Sequence, residues 1–505
     1  MITTQAKQQI DQLWDAFWTG GISNPLTVIE QVSYLFFMRL LDITETNNER
    51  VQQRTGKAFR RLYDGADDVR RWSVFKHQKP EEMLRTVRDV VFPHLRDSIG
   101  ARSTMGTYLK DAQFVIPTPN LLARAVESVD RLKLVGDAKG DLYEYLLSRL
   151  STAGINGQFR TPRHIIRAMV EVMEPKPTEV IGDPACGTGG FLVGTMDWML
   201  QRYTSEAGKL KDEEGGELYT GDLLQPHREH VQSGMLHGFD FDSTMLRIAA
   251  MNLMLHGIET PDVHYADALS KAFGEKFSQH RHGFFDVILA NPPFKGSLDA
   301  TTVHASLLAK VKTRKMELLF VALMLQMLKV GGRCATIVPD GVLFGSSGAH
   351  KDLRKLLVDD NQLEAVISLP GGVFRPYAGV STGILVFARG GRTGEVFYYD
   401  VREDGFTRDD KRTPQPAGTS DLPRMVEAWR QWKATGKVVG ADRKAQCFLV
   451  SAEEIREKEY DLALNRYQEV VHEKVQYEKP EVILERLIGL QGEILRELEG
   501  LRGIA

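Results

Sequence analysis

Apolar and polar positions alternate in two different ways along the chain. In the first 150 residues, apolar side chains recur at steps of three and four, as in "IDQLWDAFW" (10–18) and "VIEQVSYLFFMRLLD" (28–42). This spacing places the apolar residues on one face of a helix. The pattern predicts a helical N-terminal domain over residues 1–150, with a further helix in "LYEYLLSRL" (142–150).

From about residue 178 to 390, short β-rich runs alternate with helical stretches. The runs are "EVIGDPA", "LHGFDF", "VHYADA", "FFDVILANP", "GGRCATIVP", "LEAVISLP" and "TGILVFARG". Alternation of this kind indicates βαβ units, so residues 151–400 are predicted to form an α/β domain with a mostly parallel, doubly wound sheet. Ligands on such sheets bind at the carboxyl ends of the strands, near the point where the strand order reverses.

After residue 400 the chain is polar and rich in turns, and it becomes helical again towards its end. We expect a polar and helical extension over 401–469 and a separate C-terminal helix over 470–505. In that helix the apolar residues follow heptad steps, with Gln491 at the one polar position: Leu484, Leu487, Ile494, Leu498 and Leu501. About three heptads is the lower limit for predicting a coiled coil, and a helix packed on its own protein explains the pattern equally well.

The length, charge and cysteine content of the chain limit the classes of protein to which it can belong. A chain of 505 residues exceeds the size of a single core, so two or three domains are expected. The net charge of −3 gives no overall positive field, so nucleic acid would have to be bound through local patches or a partner. Three cysteines are too few for a disulfide framework or a zinc site, and no metal is expected. Without a signal-like opening or a long apolar run, the protein is expected to be cytosolic and not bound to membranes.

The first β-rich run leads into a glycine-rich turn, "VIGDPACGTGGFLVGTM" (180–196). Glycines at 187, 189 and 190 allow a sharp turn and a close approach of the backbone to a ligand. The dinucleotide pattern G-x-G-x-x-G fails at Leu192, which disfavours a nicotinamide dehydrogenase. Asp183, at the end of the run, would suit a cationic ligand group.

Two further acids follow later runs. Asp240 ends the run "HGFDF", where a carboxylate can accept both hydroxyls of a ribose, and Asp242 is the rival for that role. Asp267, in "YADAL", could accept a hydrogen bond from an exocyclic amine. One acid alone is more often a helix cap or a solvated loop residue. Three acids on successive strand ends beside a glycine turn favour a nucleoside ligand.

The run "DVILANPPFKG" (286–296) predicts a strand followed by a stiff turn, because prolines cannot continue a ladder. The Asn291 side-chain oxygen and the Pro292 carbonyl can both accept hydrogen bonds from one amino group. Such acceptors stabilise the positive charge that grows on an aromatic amine when it attacks an electrophile. Phe294 is expected to be exposed, so that a flipped base can stack on it with about 1–3 kcal/mol. The alternative is a structural turn with its Phe buried.

These motifs resemble a known family. "DPACGTGGF" and "NPPF" resemble the signature motifs of S-adenosylmethionine-dependent amino-methyltransferases that form N6-methyladenine in DNA, in the motif order of the γ group. "GINGQFRTPRHIIRAM" (154–169) is similar to the segment that closes over the cofactor in this family. Together with the helical N-terminal region and "YDLALNRY" (460–467), they resemble the modification subunit of type I restriction-modification systems.

The resemblance implies a Rossmann-like methyltransferase domain, S-adenosylmethionine as cofactor, and a role for each matching residue. The implied catalytic residues are Asn291, Pro292, Pro293 and Phe294. The implied cofactor-binding residues are Gln158, Phe159, Arg160, Thr161, Pro162, Arg163, Asp183, Gly187, Thr188, Gly189, Gly190, Asp240 and Asp267.

The resemblance also implies partners. In this family two modification subunits join one specificity subunit, which recognises double-stranded DNA, and a restriction subunit joins them for cleavage. The C-terminal heptads would suit docking onto a helical partner, and the basic run "KVKTRKM" (310–316) could contact phosphates or be a solvated face. The alternatives are a methyltransferase acting on RNA or protein, and a non-catalytic assembly subunit that binds the cofactor.

Overall fold

The computed structural model describes residues 4–55, 58–59, 61–99, 109, 111–132, 143, 145–147, 149, 161–211, 217–258, 260–375, 379–438, 442–469 and 480–502. The expected cofactor-binding residues Gln158, Phe159 and Arg160 lie outside these ranges. The helix expected at 142–150 is described only at isolated positions.

The N-terminal region is helical, which confirms the prediction. Its α-helices are Thr4–Thr19, Pro25–Thr55, Trp72–Phe75, Pro80–Thr86 and Pro119–Arg131, with π-helical segments Val87–Val91 and His94–Ile99. The residues of the predicted apolar face, Ile10, Leu13 and Phe17, are all buried. Helix Pro25–Thr55 also contacts helix Ser243–Leu255, where Arg247 Nε lies 2.5 Å from Glu30 Oε1.

In the described residues, nine strands form one sheet in the order β11-β10-β8-β9-β7-β6-β1-β4-β5, and β2 and β3 form a separate hairpin. The strands are β1 (Ile181–Asp183), β2 (Lys209–Lys211), β3 (Glu217–Tyr219), β4 (Leu236–Asp240), β5 (Asp262–Tyr265), β6 (Phe285–Ala290), β7 (Leu328–Pro339), β8 (Gln362–Leu369), β9 (Thr382–Ala388), β10 (Glu395–Asp400) and β11 (Cys447–Ser451).

The sheet is mostly parallel, as predicted. Strand β1 pairs in parallel with β4 on one side and β6 on the other, and β4–β5, β6–β7 and β8–β10 are also parallel. Strand β9 runs antiparallel between β7 and β8, and β11 runs antiparallel along β10. Because the chain moves from β1 through β4 to β5 and then returns to place β6 beside β1, the strand order reverses between β1 and β6.

Each of the seven predicted β-rich runs overlaps a strand of this sheet. Strands β10 and β11 were not among those runs, and β11 lies in the segment for which we expected a polar extension. The sheet therefore continues past residue 400, because β10 adds to β8 and β11 then covers the free edge of β10.

Helices cover both faces of the sheet. The remaining α-helices of this part are Arg163–Met173, Gly190–Arg202, Arg228–Ser233, Ser243–Leu255, Lys271–Lys276, Ser278–Arg281, Ala305–Lys310, Met316–Met327, Asp340–Phe344, Gly348–Asp359, Leu422–Thr435 and Ala452–Glu457. Along β6, Val287 and Leu289 enter one apolar core while Ile288 and Ala290 enter another. Burial on both faces is typical of doubly wound sheets and explains the continuous apolar run of this strand.

Residues 468–505 form a unit of their own, which contains helix Pro480–Arg502. Its apolar side chains Leu484, Leu487 and Ile494 are exposed. The side chains of the other two heptad positions, Leu498 and Leu501, lie outside the described residues. Among the described helices, none has the length and apolar character needed to cross a membrane.

Candidate active site

The glycine turn joins β1 to helix Gly190–Arg202 at the carboxyl edge of the sheet. Gly187 and Gly189 have φ values of +52° and +77°, a conformation that side chains with a Cβ rarely adopt. A Cβ built on Gly187 would meet no atom within 4 Å, so the backbone faces open space there. The turn thus offers a surface that a ligand can approach closely.

Asp240, at the end of β4, is tied to the glycine turn. Its Oδ2 accepts a hydrogen bond of 2.9 Å from the Gly187 N–H, and its Oδ1 accepts one of 2.9 Å from the Asp242 N–H. A carboxylate oxygen has two lone pairs, so Asp240 can still accept further hydrogen bonds. Asp242 instead caps helix Ser243–Leu255, because its Oδ1 accepts hydrogen bonds from the N–H groups of the next turn.

The carboxyl groups of Asp183 and Asp240 favour the binding of a positively charged ligand group in this part of the site. Burial raises the pKa of the Asp183 carboxyl to about 8; a hydrogen bond from the Ala185 N–H opposes the rise and the charge of Asp240 adds to it. Burial also raises the pKa of Asp240. A cationic ligand would favour the ionised forms of both carboxyl groups, of which Asp183 is buried and Asp240 partly buried.

The sequence analysis did not predict a role for Asn252. Its side chain forms a hydrogen bond to the backbone of the glycine turn. Its Nδ2 donates a hydrogen bond of 3.0 Å to the Thr188 carbonyl, and both residues are buried. The available signal was a single amide in the apolar run "LRIAAMNLML" (246–255) of helix Ser243–Leu255. A buried amide needs hydrogen-bonding partners, so its presence inside an apolar helix pointed to a contact with backbone.

Two exposed aromatic residues beside Asp240 were also missed. Phe241 follows Asp240, and Tyr265 is the residue opposite Asp240 on the neighbouring strand β5. Their side chains are 64% and 61% exposed, which is unusual for rings at the carboxyl edge of a sheet otherwise buried by helices. Asp267 lies just beyond Tyr265 and is exposed as well. The rings could cover a planar base next to the acids.

The predicted stiff turn follows β6, which ends at Ala290. It consists of residues 291–294 and is called the tip below. The Asn291 Nδ2 donates a hydrogen bond of 3.0 Å to the hydroxyl of Thr161, a buried residue that precedes helix Arg163–Met173. The other amide atom, Oδ1, is buried and has no hydrogen-bond partner among the described residues. Leaving such an acceptor unsatisfied costs about 1–3 kcal/mol, so the tip contains an oxygen that is set up to accept a donor.

The expectation of an exposed Phe294 is wrong for this structure. Its ring is 3% exposed and packs edge-on against Phe374, with ring centroids 5.3 Å apart. Burial of the ring and the edge-to-face geometry both favour this contact. Pro292 is buried and Pro293 partly buried, so the turn as a whole is packed rather than projecting. A base could stack on Phe294 only after the Phe374 ring moves away.

The other residues expected near the cofactor lie at the start of helix Arg163–Met173. Pro162 precedes its first turn, and the Arg163 guanidinium lies 3.4 Å from the Asp197 carboxylate on helix Gly190–Arg202. The two helices pack closely, since a Cβ on Gly194 would come within 2.5 Å of Ile166. Because of this packing, Thr161, which precedes the helix, lies next to the carboxyl ends of the strands.

The basic run lies beside the tip. The Leu298 N–H donates a hydrogen bond of 3.0 Å to the Arg314 carbonyl, and Ser297 forms an isolated bridge with Lys315. Four cationic side chains of this run are exposed: Lys310, Lys312, Arg314 and Lys315. They form a positive surface beside the Asn-Pro-Pro-Phe turn, although the chain is nearly neutral overall.

Comparison with known proteins identifies the family. Residues 135–476 match the N-6 DNA methylase family, and residues 6–129 match the HsdM N-terminal domain. The chain belongs to the N-6 DNA methylase family. This confirms the resemblance inferred from the glycine turn and the Asn-Pro-Pro-Phe motif.

Relatives of this methylase include subunits of type I restriction enzymes. The EcoEI methylase subunit of Escherichia coli is 29% identical over 393 residues, which is 75% of this chain and 74% of that one. The EcoKI methylase subunit of E. coli strain K12 is 29% identical over 429 residues, or 80% and 73% of the two chains.

Solved structures agree with the sequence relatives. A chain of a type I R-M system, from work on its complex assembly and conformational transition, is 26% identical with a TM-score of 0.66, covering 97% of this chain and 96% of that one. A modification subunit of a type I restriction enzyme from Vibrio vulnificus YJ016 shares the fold, with 24% identity, a TM-score of 0.70 and coverage of 94% and 99%.

Proposed function

We propose that this methylase transfers a methyl group from S-adenosylmethionine to the N6 atom of an adenine flipped out of double-stranded DNA, as the modification subunit of a type I restriction-modification complex. The observation that carries the proposal is the Asn291 amide, whose nitrogen is held by Thr161 while its oxygen is buried without a donor. An exocyclic amino group is a donor of the right kind for that oxygen.

The tip would activate the nucleophile, which is the amino group of the target adenine. The lone pair of an adenine amino group is delocalised into the ring, so the nitrogen attacks poorly. The Asn291 Oδ1 and the Pro292 carbonyl would accept its two N–H groups and stabilise the positive charge that grows on nitrogen, with little reorganisation because the prolines hold them in place. The methylated cation can then lose a proton to solvent, so no general base is required. Phe294, once the Phe374 ring has moved, would stack on the base.

The glycine turn and the acids would bind the cofactor. S-adenosylmethionine, when bound, supplies a methyl group on a positively charged sulfur. Asp183 would face the cationic methionine part of the cofactor, which fits the raised pKa of the Asp183 and Asp240 carboxyl groups. Gly187 leaves space for it, and Asp240 would accept the ribose hydroxyls, since Asp242 is engaged as a helix cap.

The adenine of the cofactor would lie between the two exposed rings, Phe241 and Tyr265, with Asp267 accepting its amino group. Thr161, Pro162 and Arg163 would close the cofactor side, together with the preceding residues 158–160 expected from sequence. Thr188, Gly189 and Gly190 would lie against the methionine part.

Partners would supply the recognition of the DNA sequence. Its net charge is near zero, and the exposed basic run at 310–315 offers only a local surface for phosphates. We propose that one specificity subunit joins two copies of this chain, that helix Pro480–Arg502 docks on it, and that a restriction subunit completes the assembly.

The decisive experiment measures methyl transfer from labelled S-adenosylmethionine to DNA by this chain co-purified with its specificity subunit. N6-methyladenine is the expected product. Asn291→Ala should reduce the transfer rate by about 10²–10³-fold, because it removes a charge-stabilising acceptor, while cofactor binding is retained. Asn47→Ala, the same change at an exposed position of helix Pro25–Thr55, is the matched control.

The outcome also separates the alternatives. Label in RNA or protein instead of DNA would make this chain a different methyltransferase. Cofactor binding without any transfer, in the presence of the specificity subunit and DNA, would make it a non-catalytic assembly subunit. Loss of cofactor affinity in Asn291→Ala with transfer retained would contradict the role assigned to Asn291.

A further inference from the structure

A histidine–aspartate cluster lies at the opposite edge of the sheet from the candidate active site. His237 is the second residue of β4, Asp262 is the first residue of β5, and His280 lies on helix Ser278–Arg281. One nitrogen or carboxylate oxygen of each residue lies within 4.8 Å of those of the other two. Because these residues are at the amino ends of β4 and β5, they are separated from Asp240 by the length of the strand.

The hydrogen bond of His237 leaves one ring nitrogen for the cluster. Its Nε2 lies 2.9 Å from the Gly234 carbonyl, and since a carbonyl only accepts, Nε2 carries the proton. In the neutral ring Nδ1 then carries the lone pair. That atom lies 2.5 Å from Asp262 Oδ2, where the two groups form an ion pair when the ring takes up a second proton, and a bound metal ion would replace that proton. A histidine held through its other nitrogen by a backbone carbonyl is the usual arrangement of a metal ligand.

His280 provides the second, independent indication. Its ring is 7% exposed, and its Nδ1 is buried without a hydrogen-bond partner among the described residues. Apolar rings enclose it, including Phe284 and Phe239, with centroids at 4.5 and 5.5 Å. A buried polar nitrogen among apolar rings costs about 1–3 kcal/mol unless it finds a partner. A partner that accepts a lone pair would satisfy it.

We propose that His237, Asp262 and His280 bind a divalent transition-metal ion, with zinc as the best match. Two imidazole nitrogens and one carboxylate are ligands that zinc takes in proteins, and they leave a fourth position for water. His264 supports the site from outside, since its Nε2 lies 2.6 Å from the other oxygen of Asp262. The Asp262 and His264 side chains are partly exposed, which gives the ion a path from solvent.

The ion would have a structural role. It would join β4, β5 and the helix that precedes β6, three segments that surround the half of the sheet assigned to the cofactor. Since ligand atoms at the amino ends of the strands are far from the carboxyl edge, the ion is not expected to contact substrate or cofactor. The proposal therefore does not depend on the proposed function.

Metal analysis of the purified full-length protein tests the proposal. The protein is stripped with a chelator, dialysed against Zn²⁺ alone, and measured for bound zinc and for melting temperature. We expect about one zinc per chain and a higher melting temperature than in the stripped protein. Failure of the wild-type protein to retain zinc after this treatment would overturn the proposal.

Variants locate the ion. His237→Gln and His280→Gln should lose the bound zinc, and His264→Gln should weaken binding by about 10–100-fold, as loss of an outer partner usually does. His282→Gln, the same change at an exposed position two residues from His280, is the matched control and should bind zinc as the wild type does. Zinc binding of equal strength in His237→Gln and His280→Gln would overturn the assignment.

If a variant fails to fold, the site is tested instead by the visible absorption spectrum of Co²⁺ bound to the wild-type protein. Cobalt bound by nitrogen and oxygen ligands in four-coordinate geometry gives visible bands that Zn²⁺ displaces. Their appearance at one cobalt per chain would support the site, and their absence would overturn it.

Discussion

The Asn291 amide nitrogen donates a hydrogen bond of 3.0 Å to the Thr161 hydroxyl, 130 residues earlier in the chain. Thr161 belongs to the segment expected to close over the cofactor, and Asn291 to the motif proposed to be catalytic. Because Thr161 holds the nitrogen, the amide can turn only one atom, its oxygen, towards a substrate. The hydrogen bond therefore joins the two motifs at the point where the strand order reverses between β1 and β6.

Thr161→Val should reduce methyl transfer by about 10–100-fold. The change keeps the shape of the side chain but removes the acceptor that orients Asn291, a loss of about 1–3 kcal/mol in the arrangement of a buried amide. Single-turnover transfer to DNA checks this, with cofactor affinity measured alongside. Thr161→Ser keeps the hydroxyl and should restore most of the rate. Equal rates in wild type and Thr161→Val would show that Asn291 is oriented by other groups.

Phe294→Leu should lower turnover by about tenfold or more while leaving cofactor binding unchanged. Leucine retains an apolar side chain in the buried position but has no ring face for a base, a loss of about 1–3 kcal/mol of stacking. Phe294→Ala should have the same effect on turnover, with an additional loss of about 3–5 kcal/mol in the free energy of unfolding, because the ring is buried.

Phe374→Leu is the control for the Phe294 series. It removes the ring that covers Phe294 and keeps Phe294 itself, so turnover should not fall. Steady-state rates and urea unfolding of the three variants distinguish stacking from packing. If Phe294→Leu has wild-type turnover, Phe294 has only a structural role.

The contribution of Asp183 to the stability of the protein without cofactor should become less favourable as pH rises from about 5 to 8. The pKa of Asp183 is raised by burial to about 8, so in this range the native chain retains a proton that the unfolded chain has already released. By linkage, this group's contribution to the free energy of unfolding then decreases with pH, by at most about 1.4 kcal/mol per pH unit, and the decrease ends above pH 8. Urea unfolding at several pH values measures the slope.

Asp183→Asn should make that pH dependence shallower. The amide oxygen can still accept the hydrogen bond from the Ala185 N–H, but it has no proton to lose. Identical slopes in the wild type and in Asp183→Asn would mean that Asp183 is ionised in the native protein throughout this range.

Deleting residues 470–505 should abolish assembly with the specificity subunit. Apolar side chains of helix Pro480–Arg502 are exposed in a row, and docking on a helical partner would bury them. Size-exclusion chromatography of the co-expressed subunits measures assembly. In the full-length chain, Leu487→Asp with Ile494→Asp should have the same effect, and Glu493→Gln, on the same helix, should not. Unchanged assembly after the deletion would exclude this helix as the docking element.

Local sequence was sufficient for much of the fold and for the positions of the motifs. Residues such as Val287, Ile288 and Leu289 form an uninterrupted apolar run because both faces of their strand are buried, and this depends only on neighbouring positions. Prolines after Asn291 ended the strand for equally local reasons, since they cannot donate to a ladder. The glycine turn was recognisable because Gly187 and Gly189 have backbone angles that other residues avoid.

Tertiary structure alone decided which of these groups meet. The contacts of Thr161 with Asn291, of Asn252 with Thr188 and of Phe294 with Phe374 join residues far apart in sequence, and no local period encodes such pairs. The same holds for the histidine–aspartate cluster, whose members come from two strands and a helix. Burial of Phe294 was missed for this reason: its exposure depends on Phe374, which the chain brings near only when the sheet is complete.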